Sequence, residues 1–205
     1  MQLNLGCGMK TPREWVNVDY GPGPIIRKIP VVGALSRHFL RFKWNKGIYL
    51  HDLRKPLPWA SESIEYIYSS HTLEHLTKRD GEKLIAEAYR ILLPNGVLRI
   101  VVPDLRDAVD GYLQGDRCAR DFLVSLGAID TSNRSLLRRV YGLISGAGHR
   151  CMYDEKALSG VMTDAGFLAA RMAPFESRIP NIERVETGHR ADGALIVEGR
   201  KPRTT

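Results

Sequence analysis

The run Leu3-Asn4-Leu5-Gly6-Cys7-Gly8, followed closely by Val16-Asn17-Val18-Asp19, constrains the fold of this 205-residue chain more than any other feature. Leu3 and Leu5 alternate with polar neighbours and run into two glycines, the pattern of a strand entering a tight turn. Glycine takes positive φ freely and lets a ligand approach without a Cβ in the way. The second short strand stops at a carboxylate, Asp19. In an open α/β sheet, ligands bind beyond the carboxyl ends of the strands, where the winding direction switches. A glycine turn after one strand and an acid after the next are the two halves of a nucleoside site. The turn admits the ligand and the carboxylate accepts hydrogen bonds from a ribose diol.

Further strands and helices follow in alternation, which predicts an α/β fold. Strands are expected at Ile48–Asp52 and Ile64–Ser69, and a buried one at Val97–Val102 after a turn at Asn95-Gly96. Thr11-Pro12 leaves room for only a very short helix between the first two strands. Thr72–Leu76 should begin a helical segment. A full helix is expected over Asp80–Leu93, with Leu84, Ile85, Ala88, Ile91 and Leu92 on one face. Pro103-Asp104 should open another helix. Residues 105–147 exceed one crossover. They read as a small helical lid with helices over Tyr112–Leu126 and Leu136–Ile144, inserted in a single domain spanning 1–205. Asp154–Ala165 is a helix closed by Gly166. The last strands, near Arg171–Glu176 and Ala194–Gly199, should form an antiparallel pair. Residues 25–47 are basic, lack acids and carry Leu35, Phe39, Leu40 and Phe42 near helical spacing. An amphipathic stripe of this kind is normally core, with its basic face in water; the other reading is a basic flap over a membrane surface or an anionic substrate.

LNLGCG, VNVD, HDL at 51–53, SSHTLEHL at 69–76 and LLPNGVLRIVVPDL at 92–105 resemble, in order, the motifs of class I S-adenosylmethionine-dependent methyltransferases. The likeness is greatest to short bacterial enzymes of the "methyltransferase domain 11" kind and runs from Leu3 to about Phe167. It implies a Rossmann-like, doubly wound, mostly parallel seven-stranded sheet with an antiparallel last strand, and S-adenosylmethionine as cofactor. It also implies a cofactor-binding set: Leu5, Gly6, Cys7, Gly8, Asp19, Asp52, Leu53 and Ser70. Asp19 takes the ribose, Asp52 meets the adenine amino group and Leu53 the ring. The chain departs from the family in having Met9 and Lys10 where a further glycine is usual, and in its short first connection. Cys7 reads as a packing residue or a backbone donor, since nothing nearby lowers a thiol pKa.

His71, Glu74 and His75 stand three and four residues apart, so on a helix they share a face. They follow the fourth strand, where this family places the transferring methyl, and His149 could fold back over them from the lid. Methyl transfer to oxygen or nitrogen leaves a proton to remove, which a histidine near neutrality can take. His71, His75 and His149 are therefore the candidate catalytic residues. The cluster also resembles the Glu-x-x-Glu-His plus distal His set of magnesium- or manganese-dependent small-RNA 3′-end methyltransferases, with His71 in place of the first Glu. Imidazole there is a softer ligand than carboxylate, and no metal is assigned from sequence.

A net charge of +7 and a pI near 9.4 favour anionic partners. The expected acceptor is small or glycan-like and anionic; nucleic acid is a lesser expectation, and peripheral membrane contact a further one. Cys7, Cys118 and Cys151 lack disulfide or zinc spacing, which fits a reducing compartment. With no apolar run of about 20 residues and a first strand that begins at once, the expected location is cytoplasmic. A dehydrogenase is disfavoured: the third glycine of the dinucleotide fingerprint is missing and the acid comes too early after the turn. The remaining alternative is a non-catalytic S-adenosylmethionine-binding protein that holds a partner through segment 25–47 and the lid. No motif bears on the acceptor's identity or on oligomeric state.

Overall fold

The computed structural model describes residues 1–28, 45–128 and 148–203. Seven strands form one sheet in the order β3-β2-β1-β4-β5-β7-β6. They are β1 Gln2–Leu5, β2 Val16–Asp19, β3 Tyr49–Leu50, β4 Ile64–Ser70, β5 Leu92–Pro103, β6 Leu168–Arg171 and β7 Ala194–Arg200. β1 to β5 pair in parallel, while β7 runs antiparallel to both β5 and β6. The Rossmann-like sheet expected above is present, and the chain switches winding direction between β1 and β4.

Apolar periodicity explains the helices that cover one face. In α2, Lys78–Ile91, the side chains of Leu84, Ile85, Ala88 and Ile91 are buried, after the α1 segment Pro22–Lys28 near β2. Thr77 caps α2, its hydroxyl accepting from the Asp80 amide. The α2 stripe packs with Leu3, Leu5, Ile67, Leu98 and Ile100 of the sheet. Two helices lie beyond β5, α3 Leu105–Leu113 and α4 Ala119–Ser125. α5, Glu155–Asp164, adds Leu158 and Met162 to the core. On the opposite face Trp15, Tyr68, Val97, Val101 and Ile196 meet Ile179, Ile182, Val185 and Ala191, the last in the short α6 Gly188–Ala191.

Several boundaries differ from expectation. The helix expected over Tyr112–Leu126 is divided between α3 and α4, because Gly115 turns left-handed (φ 83°) just past the end of α3. Asn95 (φ 64°) and Gly96 do not close a turn ahead of β5; they kink within it, and the strand begins at Leu92. The Asn95 amide donates to the Lys201 carbonyl and the Lys201 amide to that of Gly96, so the kink is held from the C-terminal side. β3 is two residues long, β6 precedes its expected position, and Thr11-Pro12 opens no helix. The expected helix at Leu136–Ile144, the rest of the lid over 129–147 and most of the basic segment lie outside the described residues.

Within β5, Arg99 is fully buried. Its guanidinium spends all five N–H groups on the Glu186 carboxylate (2.8 and 2.9 Å), the Glu198 carboxylate (3.0 Å) and the carbonyls of Glu176 and Ala173 (2.8 and 3.2 Å). This network pins the stretch between β6 and α6 to the sheet.

Candidate active site

The carboxyl ends of β1, β2, β3 and β4 lie in register, with Leu5 opposite both Val18 and Ser69, and Asp19 opposite Leu50. This edge gathers the glycine turn, Asp19, His51-Asp52 and Ser70–His75.

The turn is fastened to β2 by the amides of Gly6 and Cys7, which both donate to the Val18 carbonyl (2.9 and 3.0 Å). Gly6 and Gly8 have φ of 67° and 54°. Their roles diverge. A Cβ on Gly6 would collide with the Thr72 side chain, whereas one on Gly8 would stand in open space. Gly6 is thus required by packing against the segment after β4, and only Gly8 leaves room for a ligand. The Gly8 amide donates to Asp19 Oδ2 at 2.7 Å. In place of a helix, two buried amide side chains organise the connection that follows. Asn4 Nδ2 donates to Asn17 Oδ1 (3.0 Å) and the Lys10 carbonyl (2.9 Å), and Asn17 Nδ2 donates to the carbonyls of Pro12 and Trp15 (both 2.9 Å). Sequence reading missed this pair, although asparagines at the centre of two adjacent strands were the available signal.

Burial raises the Asp19 carboxyl above its ordinary value, with the amides of Gly8 and Tyr20 acting against the shift. A donor pair such as a ribose diol would relieve that desolvation. The buried Nε2 of His51, a residue of the HDL motif given no role at the sequence level, has no hydrogen-bond partner among the described residues. The open space over Gly8, the under-solvated Asp19 and the orphaned imidazole nitrogen fit a nucleoside-bearing cofactor. Asp52 is engaged by Arg54, whose Nε and Nη2 approach its two oxygens at 2.8 Å each and lower its pKa. An adenine contact at Asp52 therefore competes with that pair. Leu5 and Leu53 belong to the core, so the contribution of Leu5 to a ligand is limited to its backbone. Ser70 ends β4 with its hydroxyl buried and without a hydrogen-bond partner among the described residues. Burial drives the Cys7 thiol to about 12, which leaves it a packing residue.

The histidines come together, though not on a shared helical face. His71 is left-handed (φ 49°), its amide donating to the Val101 carbonyl at 2.8 Å, and only Leu73–His75 forms a single 3-10 turn. His71 Nδ1 lies 3.4 Å from Glu74 Oε1, and its Nε2 lies 3.0 Å from the Arg190 carbonyl. The Glu74 carboxylate raises the His71 pKa, against the effect of burial. His75 places Nδ1 3.2 Å from the Gly148 carbonyl and Nε2 4.0 Å from Glu74 Oε1. His149 reaches the same spot, its ring 5.2 Å from that of His75, and burial lowers its pKa so that it stays neutral at pH 7. The amides of Arg150 and Cys151 donate to the Glu74 carbonyl (2.7 and 3.1 Å), which anchors the 148–151 stretch here. Thr72 joins the two halves of the site: its hydroxyl donates to the carbonyls of Ser70 (3.2 Å) and Gly6 (3.5 Å).

A family model described as a methyltransferase domain matches residues 14–169. No curated protein matches the sequence. Solved structures share the fold. A methyltransferase of Archaeoglobus fulgidus described as SAM-dependent aligns at 14% identity and TM-score 0.53, over 98% of this chain and 85% of its own. A Thermotoga maritima SAM-dependent protein described as a possible histamine N-methyltransferase aligns at 19% identity and TM-score 0.50, over 98% and 81%. The Haloferax volcanii complex of the methyltransferase activator Trm112 with a methyltransferase aligns at 15% identity and TM-score 0.51, over 100% and 82%.

Proposed function

The chain belongs to the methyltransferase domain family, with S-adenosylmethionine as cofactor, and on that footing we propose that it methylates an oxygen or nitrogen of a small or glycan-like anionic acceptor. When bound, the cofactor supplies an electrophilic methyl group on its sulfonium. The chain holds the ribose with Asp19 and admits the cofactor over Gly8. The family resemblance assigns the adenine to Asp52 and Leu53, and a contact at Asp52 requires Arg54 to release its carboxylate.

The observation that carries the reading is the histidine cluster tied to the cofactor turn through Thr72. A group at that cluster removes the acceptor's proton as its lone pair takes the methyl. His71 has both nitrogens engaged, at Glu74 and at the Arg190 carbonyl, which makes it the orienting member. His75 carries its proton on Nδ1, toward the Gly148 carbonyl, and so keeps a lone pair on Nε2. His149, neutral, is its partner. The net charge of +7 supports an anionic acceptor. Three free thiols support a reducing, cytoplasmic setting. An activator protein is a second partner class, since one chain of similar fold was solved with one.

The test is formation of S-adenosylhomocysteine with a panel of phosphorylated sugars and acidic glycans. Turnover with at least one, lost in His75→Ala and His149→Ala while cofactor affinity is retained, is the expected result. Tight cofactor binding with no turnover across the panel would favour the non-catalytic alternative.

A further inference from the structure

We propose that Glu74, His75 and His149 bind one divalent transition-metal ion of the zinc or manganese class. One donor atom from each of the three lies within 4.8 Å of the others. Glu74 is 1% exposed, and among the described residues neither carboxylate oxygen accepts a hydrogen bond of good geometry, His71 Nδ1 standing 3.4 Å from Oε1 as an ion-pair neighbour. Among those residues no lysine or arginine pairs with it, and its ionic neighbours are His71 and His75. A carboxylate taken out of water without donors is unfavourable unless a positive charge meets it. His149 Nδ1 is likewise buried and without a partner among the described residues.

The surroundings orient the donors. The Gly148 carbonyl accepts from His75 Nδ1, which aims the Nε2 lone pair toward Glu74, as backbone acceptors commonly do for metal-bound imidazoles. The amides of residues 150 and 151 lock the His149 stretch onto Glu74. Two ligands each about 2.1 Å from a zinc ion stand about 3.4 Å apart in tetrahedral geometry. The 4.0 Å between His75 Nε2 and Glu74 Oε1 needs only a small rotation to meet that. His71 is not a ligand in this arrangement. Its Nε2 is held by the Arg190 carbonyl, and it positions Glu74 from the side.

Two imidazoles and one carboxylate favour zinc, manganese or iron(II) over magnesium or calcium, which prefer all-oxygen sets. Three protein ligands leave further positions open, as in catalytic sites. The site does not depend on cofactor binding, but with an ion in place the His75 Nε2 lone pair is committed to it and is no longer the base of the methyl-transfer reading.

The test uses untagged full-length protein, stripped with chelator and dialysed separately against zinc, manganese and magnesium. Bound metal is counted by mass spectrometry, and cobalt(II) is added to read coordination from its visible spectrum. One zinc or manganese per chain, no retained magnesium, and a cobalt spectrum that disappears in Glu74→Gln and in His149→Ala are expected. His71→Ala should weaken the site roughly 10- to 100-fold, as loss of an orienting group does. Circular dichroism separates ligand loss from misfolding, and a misfolded Glu74→Gln leaves His149→Ala and the wild-type spectrum to decide. No ion in the wild type, or equal uptake by Glu74→Gln, overturns the proposal. Calorimetry of S-adenosylmethionine on the stripped protein keeps the two readings apart: cofactor binding without metal uptake overturns this one alone, and metal uptake without cofactor binding overturns the other.

Discussion

Asp19 and the two turn glycines carry distinct burdens at the scale of single residues. Replacing Asp19 by Ala should weaken S-adenosylmethionine binding by about 2–4 kcal/mol, roughly 30- to 1000-fold, if both ribose bonds are lost; an unchanged calorimetric affinity would remove Asp19 from the site. Its raised pKa has a consequence of definite sign. In the free protein burial shifts Asp19 toward the neutral acid, whereas ribose donors favour the carboxylate. Cofactor binding should therefore release protons at mildly acidic pH and weaken as pH falls through the raised value. Titrations in buffers of different ionisation enthalpy would read that release. The glycines should separate cleanly. Gly6→Ala meets Thr72 and a left-handed backbone, and should lower stability by about 1–3 kcal/mol, partly restored by adding Thr72→Ala. Gly8→Val has room for its side chain, so the fold should survive with some strain while cofactor affinity falls.

Capping shows what elements take from their own sequence. Thr77→Ala should cost about 1 kcal/mol by removing the acceptor of the Asp80 amide, measurable as a lowered melting temperature with the site intact. Elements of this kind were legible in advance. β1, β2, β4, α2 and α5 announce themselves because their apolar period and end signals are local. Asp19 and the glycine turn were legible for the same reason, since a strand and its terminal residue lie together in sequence. What stayed hidden depends on distant contacts. The kink at Asn95 is held by Lys201, the Gly6 conformation serves Thr72, and the first connection is organised by an amide pair spanning Asn4 and Asn17. The histidines were rightly grouped, but a left-handed His71 and a returning loop assemble them, where sequence spacing suggested a helix. Both depend on backbone geometry that residue spacing does not encode.

At the scale of the whole molecule, the Arg99 network joins β5 to β7 and to the stretch before α6. Arg99, Glu186 and Glu198 are each fully shielded in their side chains. Arg99→Ala should destabilise by about 3–5 kcal/mol, because it leaves the buried Glu186 carboxylate without its cation and Glu198 with Arg178 alone, at 3.5 Å. Replacing all three with apolar residues of similar volume should recover most of that loss, or exceed it. Denaturant unfolding of both variants distinguishes pairing from packing.

That same network sets a timetable for the nascent chain. Arg99 finds its carboxylates 87 and 99 residues downstream. While a ribosome is still short of residue 186, β5 is complete but carries a charge with nothing to neutralise it. The parallel half of the sheet therefore has a reason to stay open until the last strand emerges. Stalled chains ending before Glu186 should be captured by chaperones and cut readily by protease, and release of the remaining residues should close the sheet in one concerted step.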